Sequence, residues 1–116
     1  MNLSALLAAM IAVESGGNDA AIGDHGRARG ALQIHRSVVA DVNRIAGTHY
    51  RWEDMHRRDV AVYVAGVYLA HYVTEERLGH KPTAADAERI WTGGPDGWKE
   101  PATKRYWRRV QQKLNK

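Results

Sequence analysis

Glu14 stands where a helix should be apolar, just before the chain turns rich in glycine. In the opening segment from Leu3 to Glu14, the large apolar residues Leu3, Leu6, Leu7, Met10 and Ile11 recur at helical spacing. At roughly 100° per residue, position 14 falls within about 20° of Leu3 and Leu7 and about 40° of Met10. A carboxyl group is thereby set on the edge of the buried stripe, at the C-terminal end of the helix. A poorly polarizable surrounding and the partial negative pole of the helix both disfavour its charge. The expectation is an acid that holds its proton towards neutrality and can donate it. The plainer alternative is a boundary glutamate whose head reaches solvent or pairs with an arginine.

The elements that must position this group read as mostly helical. A first helix runs from Asn2 or Leu3 to Ser15 and is stopped by Gly16 and Gly17. Five glycines between Gly16 and Gly30 rule out a helix there and predict a long loop or a small irregular hairpin. Loops of that length in a small domain are functional or disordered; Ile22, Leu32 and Ile34 favour order around a cleft. A second helix spans His35 to Ala46, with Val38, Val39, Val42 and Ile45 inward and Gly47 closing it. The longest helix is expected from Asp54 or Arg57 to Leu78, using Val60, Val64, Val67, Tyr68 and Tyr72, with Gly79 as its stop. Pro82-Thr83 starts a fourth, through Ala84, Ala87, Ile90 and Trp91. Gly93-Gly94-Pro95-Asp96-Gly97 is a turn cluster, and Pro101 suits the first position of a last helix carrying Tyr106, Trp107 and Val110.

A chain of 116 residues fits one domain, 1–116, with a modest core and a monomeric state. The longest apolar run, Ala5 to Val13, is too short for a membrane span. No basic leader with a small-residue cleavage site precedes it, so no signal peptide is read. With no cysteine there is neither a disulfide framework nor thiolate chemistry. His25, His35, His49, His56, His71 and His80 are dispersed, outside any ligand spacing, so no metal and no cofactor are expected. The glycine loop lacks the Gly-Lys-Ser/Thr ending of a phosphate cradle. Cations exceed acids by four, the pI is about 9.6, and the stretch Lys104 to Lys116 holds six cations and no acid. Such a balance suits a polyanionic partner: nucleic acid, an anionic membrane surface or bacterial cell wall. At helical spacing, most of that run is also simply a solvated face.

Four segments together resemble the lytic transglycosylases and goose-type lysozymes of glycoside hydrolase family 23. They are Glu14-Ser15-Gly16-Gly17-Asn18; Gly30-Ala31-Leu32-Gln33-Ile34, like the family's Gly-Leu-Met-Gln-Ile/Val; Ile90-Trp91-Thr92-Gly93-Gly94-Pro95, like its Ala-Tyr-Asn-Ala-Gly-Pro; and Thr103-Lys104-Arg105-Tyr106-Trp107-Arg108-Arg109-Val110, like its Thr-x-x-Tyr-Val-x-x-Val. They occur in the family's order and span nearly the whole chain. The resemblance implies a mainly α, lysozyme-like domain with the long glycine loop or hairpin beside its cleft. That cleft would lie between the segments holding Glu14 and Gln33 and those holding Thr92 and Tyr106. It also implies cleavage of the β-1,4 bond between N-acetylmuramic acid and N-acetylglucosamine in peptidoglycan, with Glu14 as the acid.

In a lytic transglycosylase the same carboxylate then takes the proton of the substrate's 6-hydroxyl, closing a 1,6-anhydro ring; this is the preferred reading. In an inverting lysozyme a second carboxylate directs water from the opposite face, at about 6.5–9.5 Å. Asp24 is the candidate for that role, its alternative being a loop cap. The second acid of goose-type enzymes corresponds here to His35, and Asp19 reads as turn chemistry. By the same resemblance Ser15 bonds substrate or orients the carboxylate, Gln33 holds a sugar substituent above a packed Leu32 and Ile34, and the Tyr106 hydroxyl lies near the acid. A serine at a helix end can instead bond a carbonyl one turn back, and Tyr106 can be a core aromatic with a wet tip. Thr92 replaces the family's asparagine, so its amide contact is lost or replaced, and Trp91 replaces its tyrosine. Trp98, in the turn Asp96-Gly97-Trp98, is expected to be an exposed platform for a sugar ring. The site of action would be the periplasm or cell wall, for a bacterium remodelling its own wall or a phage degrading a host's. Rival readings are a small basic nucleic-acid-binding module, supported by Tyr106 and Trp107 among the C-terminal cations, and a non-catalytic wall-binding domain.

Overall fold

The computed structural model describes residues 1–115; Lys116, the last cation of the basic stretch, lies outside the described residues. The chain is mainly α-helical with one two-stranded sheet. Its contacts define two units: a terminal unit of Met1–Val13 with Leu69–Lys116, and a middle unit of Glu14–Tyr68.

Helix α1 covers Leu3–Ser15 and buries Leu6, Leu7, Ala9, Met10 and Ile11; of the stripe that the spacing predicts, Leu3 is only half-buried. The Asn2 side chain accepts from the Ala5 amide at 3.1 Å and caps its start. Gly16 and Gly17 follow with φ of 65° and 88°, the left-handed conformation that ends helices.

In the middle unit the glycine-rich stretch takes the second of the two forms expected of it, a small hairpin in place of a long loop. Strands β1 (Ile22–Gly23) and β2 (Ala28–Arg29) pair antiparallel, Ile22 opposite Arg29 and Gly23 opposite Ala28, around a 3-10 turn at Asp24–Gly26. The chain then doubles back, with a bridge between Arg29 and Ile34. Leu32 and Ile34 are fully buried, and burying two such side chains supplies roughly 1.5–3 kcal/mol each. Helix α2 (Arg36–Ala46) buries Val39 and Val42 and stops at left-handed Gly47. Val38 and Ile45, also expected inside, are only half-buried.

The single long helix expected up to Leu78 is instead three pieces. A 3-10 turn at Trp52–His56 precedes α3 (Arg58–Tyr72), and a short α4 (Glu75–Leu78) follows. The break has a local cause. Thr74 is extended, and its hydroxyl caps α4 by accepting from the Arg77 amide at 3.2 Å. The apolar spacing runs through this point without a sign of it.

In the terminal unit, α5 (Ala84–Gly93) starts with a capping box between Thr83 and Asp86. It packs against a 3-10 turn at Gly97–Lys99 and against α6 (Lys104–Leu114). Pro101 opens a 3-10 turn, Pro101–Thr103, that leads into α6 rather than starting α6 itself.

Gly30 carries a constraint of its own. Its φ is 83°, and a Cβ there would lie 2.0 Å from the Met55 carbonyl oxygen. Gly30→Ala is therefore expected to lose about 2–5 kcal/mol, from left-handed strain and a backbone clash. Gly66→Ala, inside α3 with nothing within 4 Å of the added methyl, should gain about 0.5–1 kcal/mol. Urea denaturation of both variants checks the pair of opposite signs.

Candidate active site

Glu14 is the penultimate residue of α1 and is half-buried, while Gly16 and Gly17 beyond it are exposed. Ser15 fixes this end. Its hydroxyl donates to the Ala31 carbonyl at 2.8 Å, sixteen residues on, and its Oγ accepts from the amides of Gly17 and Asn18, each at 3.2 Å. The segment holding Glu14 is thus tied to the segment Gly30–Ile34. Ser15 reaches across to another segment.

Gln33 adopts φ 51°, and its amide nitrogen donates to the carbonyls of Gly30 at 2.9 Å and Ala21 at 3.3 Å. Its Oε1 lies against Gly23, where a Cβ would come within 2.3 Å. The side chain expected to hold a sugar substituent therefore braces the hairpin, its amide nitrogen on two carbonyls and its Oε1 against Gly23. Leu32 and Ile34 pack inward on either side, as expected.

Asp24 is exposed, at left-handed φ 49°. Its Oδ2 lies 3.3 Å from His35 Nε2 and its Oδ1 lies 3.5 Å from Arg27. Arg27 closes the 3-10 turn that Asp24 opens, so that contact lies within the turn itself. Each carboxylate oxygen thus faces a nitrogen-bearing side chain. Asp19 is a loop anchor: its carboxylate accepts from Arg58 at 2.6 Å and its carbonyl lies 2.9 Å from His56 Nδ1. Arg58 also donates to the Gly17 carbonyl at 2.8 Å, which secures the turn directly after the first helix.

The terminal unit carries the other three predicted residues. On α5, Thr92 Oγ1 lies 2.7 Å from Glu88 Oε1, one turn earlier. Glu88 is 1% exposed, and its Oε2 is buried without a partner. Burial pushes its carboxyl above the ordinary value, outweighing the Thr92 hydrogen bond and the charge of Arg89, which act the other way. Asp86 goes in the opposite direction. Burial alone would raise it, but bonds from His80 and from the Thr83 amide and hydroxyl, with the His80 charge, hold it below the ordinary value. The sequence reading does not single out Glu88, which stands between the polar residues Asp86 and Arg89. The signal was there: Glu88 lies four residues after Ala84 and three before Trp91, on the apolar stripe.

Trp98 corrects an expectation, because it is half-buried and not an exposed platform. Gly97 is pressed so tightly on α5 that a Cβ would meet the Arg89 carbonyl oxygen at 2.0 Å, which draws the next residue inward. The Trp98 ring has the edge of His80 at 5.5 Å and Lys99 Nζ at 5.0 Å, and its Nε1 is buried without a partner. Tyr106 is 37% exposed, with the Arg109 guanidinium 5.6 Å over its ring, so it is a surface aromatic and not part of the core. It lines a surface concavity of about 410 Å³ with Pro101, Ala102, Lys104, Arg105 and Arg108.

Among the described residues no three potential ligands gather as a metal site, and no helix is long and apolar enough to cross a membrane. No model of a known protein family and no curated protein matches the chain.

Glu88 gives a pH test with a definite sign. Its folded-state carboxyl titrates above its ordinary value of 4.5. Its contribution to stability is therefore full below that value and is lost as pH rises through the folded one. Glu88→Gln, which never ionises, should match the parent near pH 4 and be the more stable protein at pH 7.5. Denaturation of both proteins at the two pH values measures this; a difference independent of pH would contradict it.

Proposed function

We infer that this chain is a peptidoglycan lytic transglycosylase. Glu14 protonates the glycosidic oxygen between N-acetylmuramic acid and N-acetylglucosamine as that bond breaks, and positive charge builds on the muramic acid ring. The resulting carboxylate then takes the proton from the 6-hydroxyl of the same sugar, whose oxygen closes the 1,6-anhydro ring. The acid is regenerated and no water is consumed.

One observation carries this reading. The bond from Ser15 to Ala31 joins two of the four segments that carry the resemblance, the one with the acid and the one with Gln33. A proton donor on the last turn of a helix, held beside a loop fixed by its own hydrogen bonds, is the arrangement that acid catalysis of glycoside cleavage needs. The pairing of Asp24 favours transglycosylation over hydrolysis. An inverting base must hold a water on its carboxylate, and here His35 and Arg27 compete for both oxygens.

The partner's charge follows from where the cations lie. Helix α6 has Lys104, Arg105, Arg108, Arg109 and Lys113 and no acid. Sequence-independent attraction to an anionic wall is the expected result, weakened by salt. The site of action on this reading is the cell wall.

Two experiments test the proposal. In the first, Glu14→Gln abolishes clearing of a cell-wall suspension, with the circular dichroism of the parent retained. Mass spectrometry of the parent's digest finds anhydro-ended muropeptides, lighter by one water than reducing-ended ones. Asp24→Asn should alter the rate by less than about tenfold. Undiminished activity of Glu14→Gln would end the assignment, and reducing ends lost in Asp24→Asn would replace it with hydrolysis. In the second, Arg105→Gln with Arg108→Gln weakens binding to purified wall several-fold at low salt, and the gap to the parent closes at about 0.5 M salt.

A further inference from the structure

Glu88 is the most deeply buried acid among the described residues. Arg89, beside it in sequence, turns its guanidinium away to the Thr103 hydroxyl at 2.7 Å and the Glu100 carbonyl at 2.8 Å. Oε2 has no hydrogen-bond partner, and Oε1 has Thr92 Oγ1 at 2.7 Å. A charged carboxylate in this setting would be desolvated with half of its acceptor capacity unmet, the costliest arrangement for such a group.

The neutral acid has a single hydrogen, and the two oxygens are not equivalent places for it. On Oε2 it would be a buried donor with no acceptor. On Oε1 it lies at bonding distance from Thr92 Oγ1 and leaves only an under-satisfied carbonyl, the more tolerable defect. Thr92 Oγ1 is then the acceptor. A hydroxyl both donates and accepts, so the hydrogen of Thr92 is left over. Among the described residues the Thr92 hydroxyl oxygen has its contact with Glu88 and no other acceptor near it. The residue is half-buried, so this hydrogen can be offered outward from α5.

We propose that Glu88 is a positioning residue: as the neutral acid it donates from Oε1 to Thr92 Oγ1 and so turns the Thr92 O–H outward, as a donor to an acetamido carbonyl of a bound glycan. This rests on the reading above that the ligand is a glycan strand. It also gives a physical account of threonine at a position where the resemblance has asparagine. A hydroxyl backed by a buried proton supplies the outward donor that an amide N–H would otherwise give. An ionised Glu88 would reverse the bond, drawing the Thr92 hydrogen inward and leaving only an acceptor for the ligand.

The test uses the full chain carrying Glu14→Gln, so that binding is read without turnover, and an N-acetylglucosamine–N-acetylmuramic acid tetrasaccharide as probe. Calorimetry should give a Kd raised about three- to tenfold by Glu88→Leu and similarly by Thr92→Val, the loss of one neutral hydrogen bond. The double variant should bind no worse than either single one. Glu88→Gln keeps an N–H donor at the same place and should restore most of the affinity lost in Glu88→Leu. Glu88→Leu also removes an orphaned polar atom, so folding is expected to survive it. Infrared difference spectra of the parent against Glu88→Gln at pH 7 should contain a carboxylic-acid carbonyl band. Tetrasaccharide binding that is indifferent to Glu88→Leu, or additive losses in the double variant, would overturn the positioning role. A missing band would overturn the proton. No tetrasaccharide binding by the Glu14→Gln chain itself would sink the glycan reading and the outward bond with it, while the band would still decide the protonation state.

Discussion

A single hydrogen bond, from the Ser15 hydroxyl to the Ala31 carbonyl, decides where the end of the first helix lies relative to the glycine loop. Everything asked of Glu14 depends on it. A helix end is otherwise the most easily frayed part of the helix, with four carbonyls lacking partners inside it. Here two left-handed glycines turn the chain away, and Arg58 holds the turn through Gly17 and Asp19. Ser15 Oγ also accepts from two amides of that turn. The helix end, the turn and the loop are in this way one hydrogen-bonded assembly.

The loop itself is strained. Asp24, His25 and Gln33 all have positive φ, at roughly 1–3 kcal/mol each. What offsets this is burial of Ala28, Ala31, Leu32 and Ile34, together with the indole of Trp52 donating to the Ile34 carbonyl at 2.8 Å. The Trp52 ring is in turn covered by the guanidinium of Arg29 at 3.9 Å and that of Arg36 at 4.3 Å. Strain concentrated at residues that can meet a ligand, with apolar anchors between them, is the distribution expected of a preorganised site. Gln33 is an example: its amide nitrogen bonds two carbonyls of the loop and its amide oxygen packs against Gly23.

Much of this was legible in the sequence. The stripe from Leu6 to Ile11, the glycine stop, the hairpin, and Leu32 and Ile34 facing inward all follow from periodicity and glycine placement, which are local signals. The misreadings have a common origin in contacts that local pattern does not encode. Apolar spacing continues from Val60 to Leu78, so nothing in it marks the break at Thr74; the break depends on whether that hydroxyl caps a new turn. Trp98 looked exposed because it follows a turn, yet the approach of Gly97 to the Arg89 carbonyl fixes its burial. The Ser15 hydroxyl also bonds a carbonyl sixteen residues away, a contact no local pattern announces. Glu88 stands between polar residues, yet its place on the α5 stripe could have been read.

The distribution of charge separates the two units more sharply than their composition suggests. The middle unit, Glu14–Tyr68, has seven cations and seven acids, and among its arginines Arg27, Arg29, Arg44, Arg51, Arg57 and Arg58 each lie within 4.0 Å of an acid. Its arginines are thus largely used in holding the loop and turns. The whole net charge of +4 therefore belongs to the terminal unit, with ten cations against six acids. Within it, the +5 of α6 is balanced by no acid of its own helix. Exposed charges of one sign on a single helix repel one another and lower its stability slightly. Their value is at longer range, where the field of an unpaired row reaches about a Debye length, roughly 8 Å at physiological salt. Neutral pairing where shape matters and unpaired charge where capture matters are two uses of the same residue types. On the wall-degrading reading, the first keeps the Glu14 loop in register and the second keeps the molecule on its polymer between cleavages.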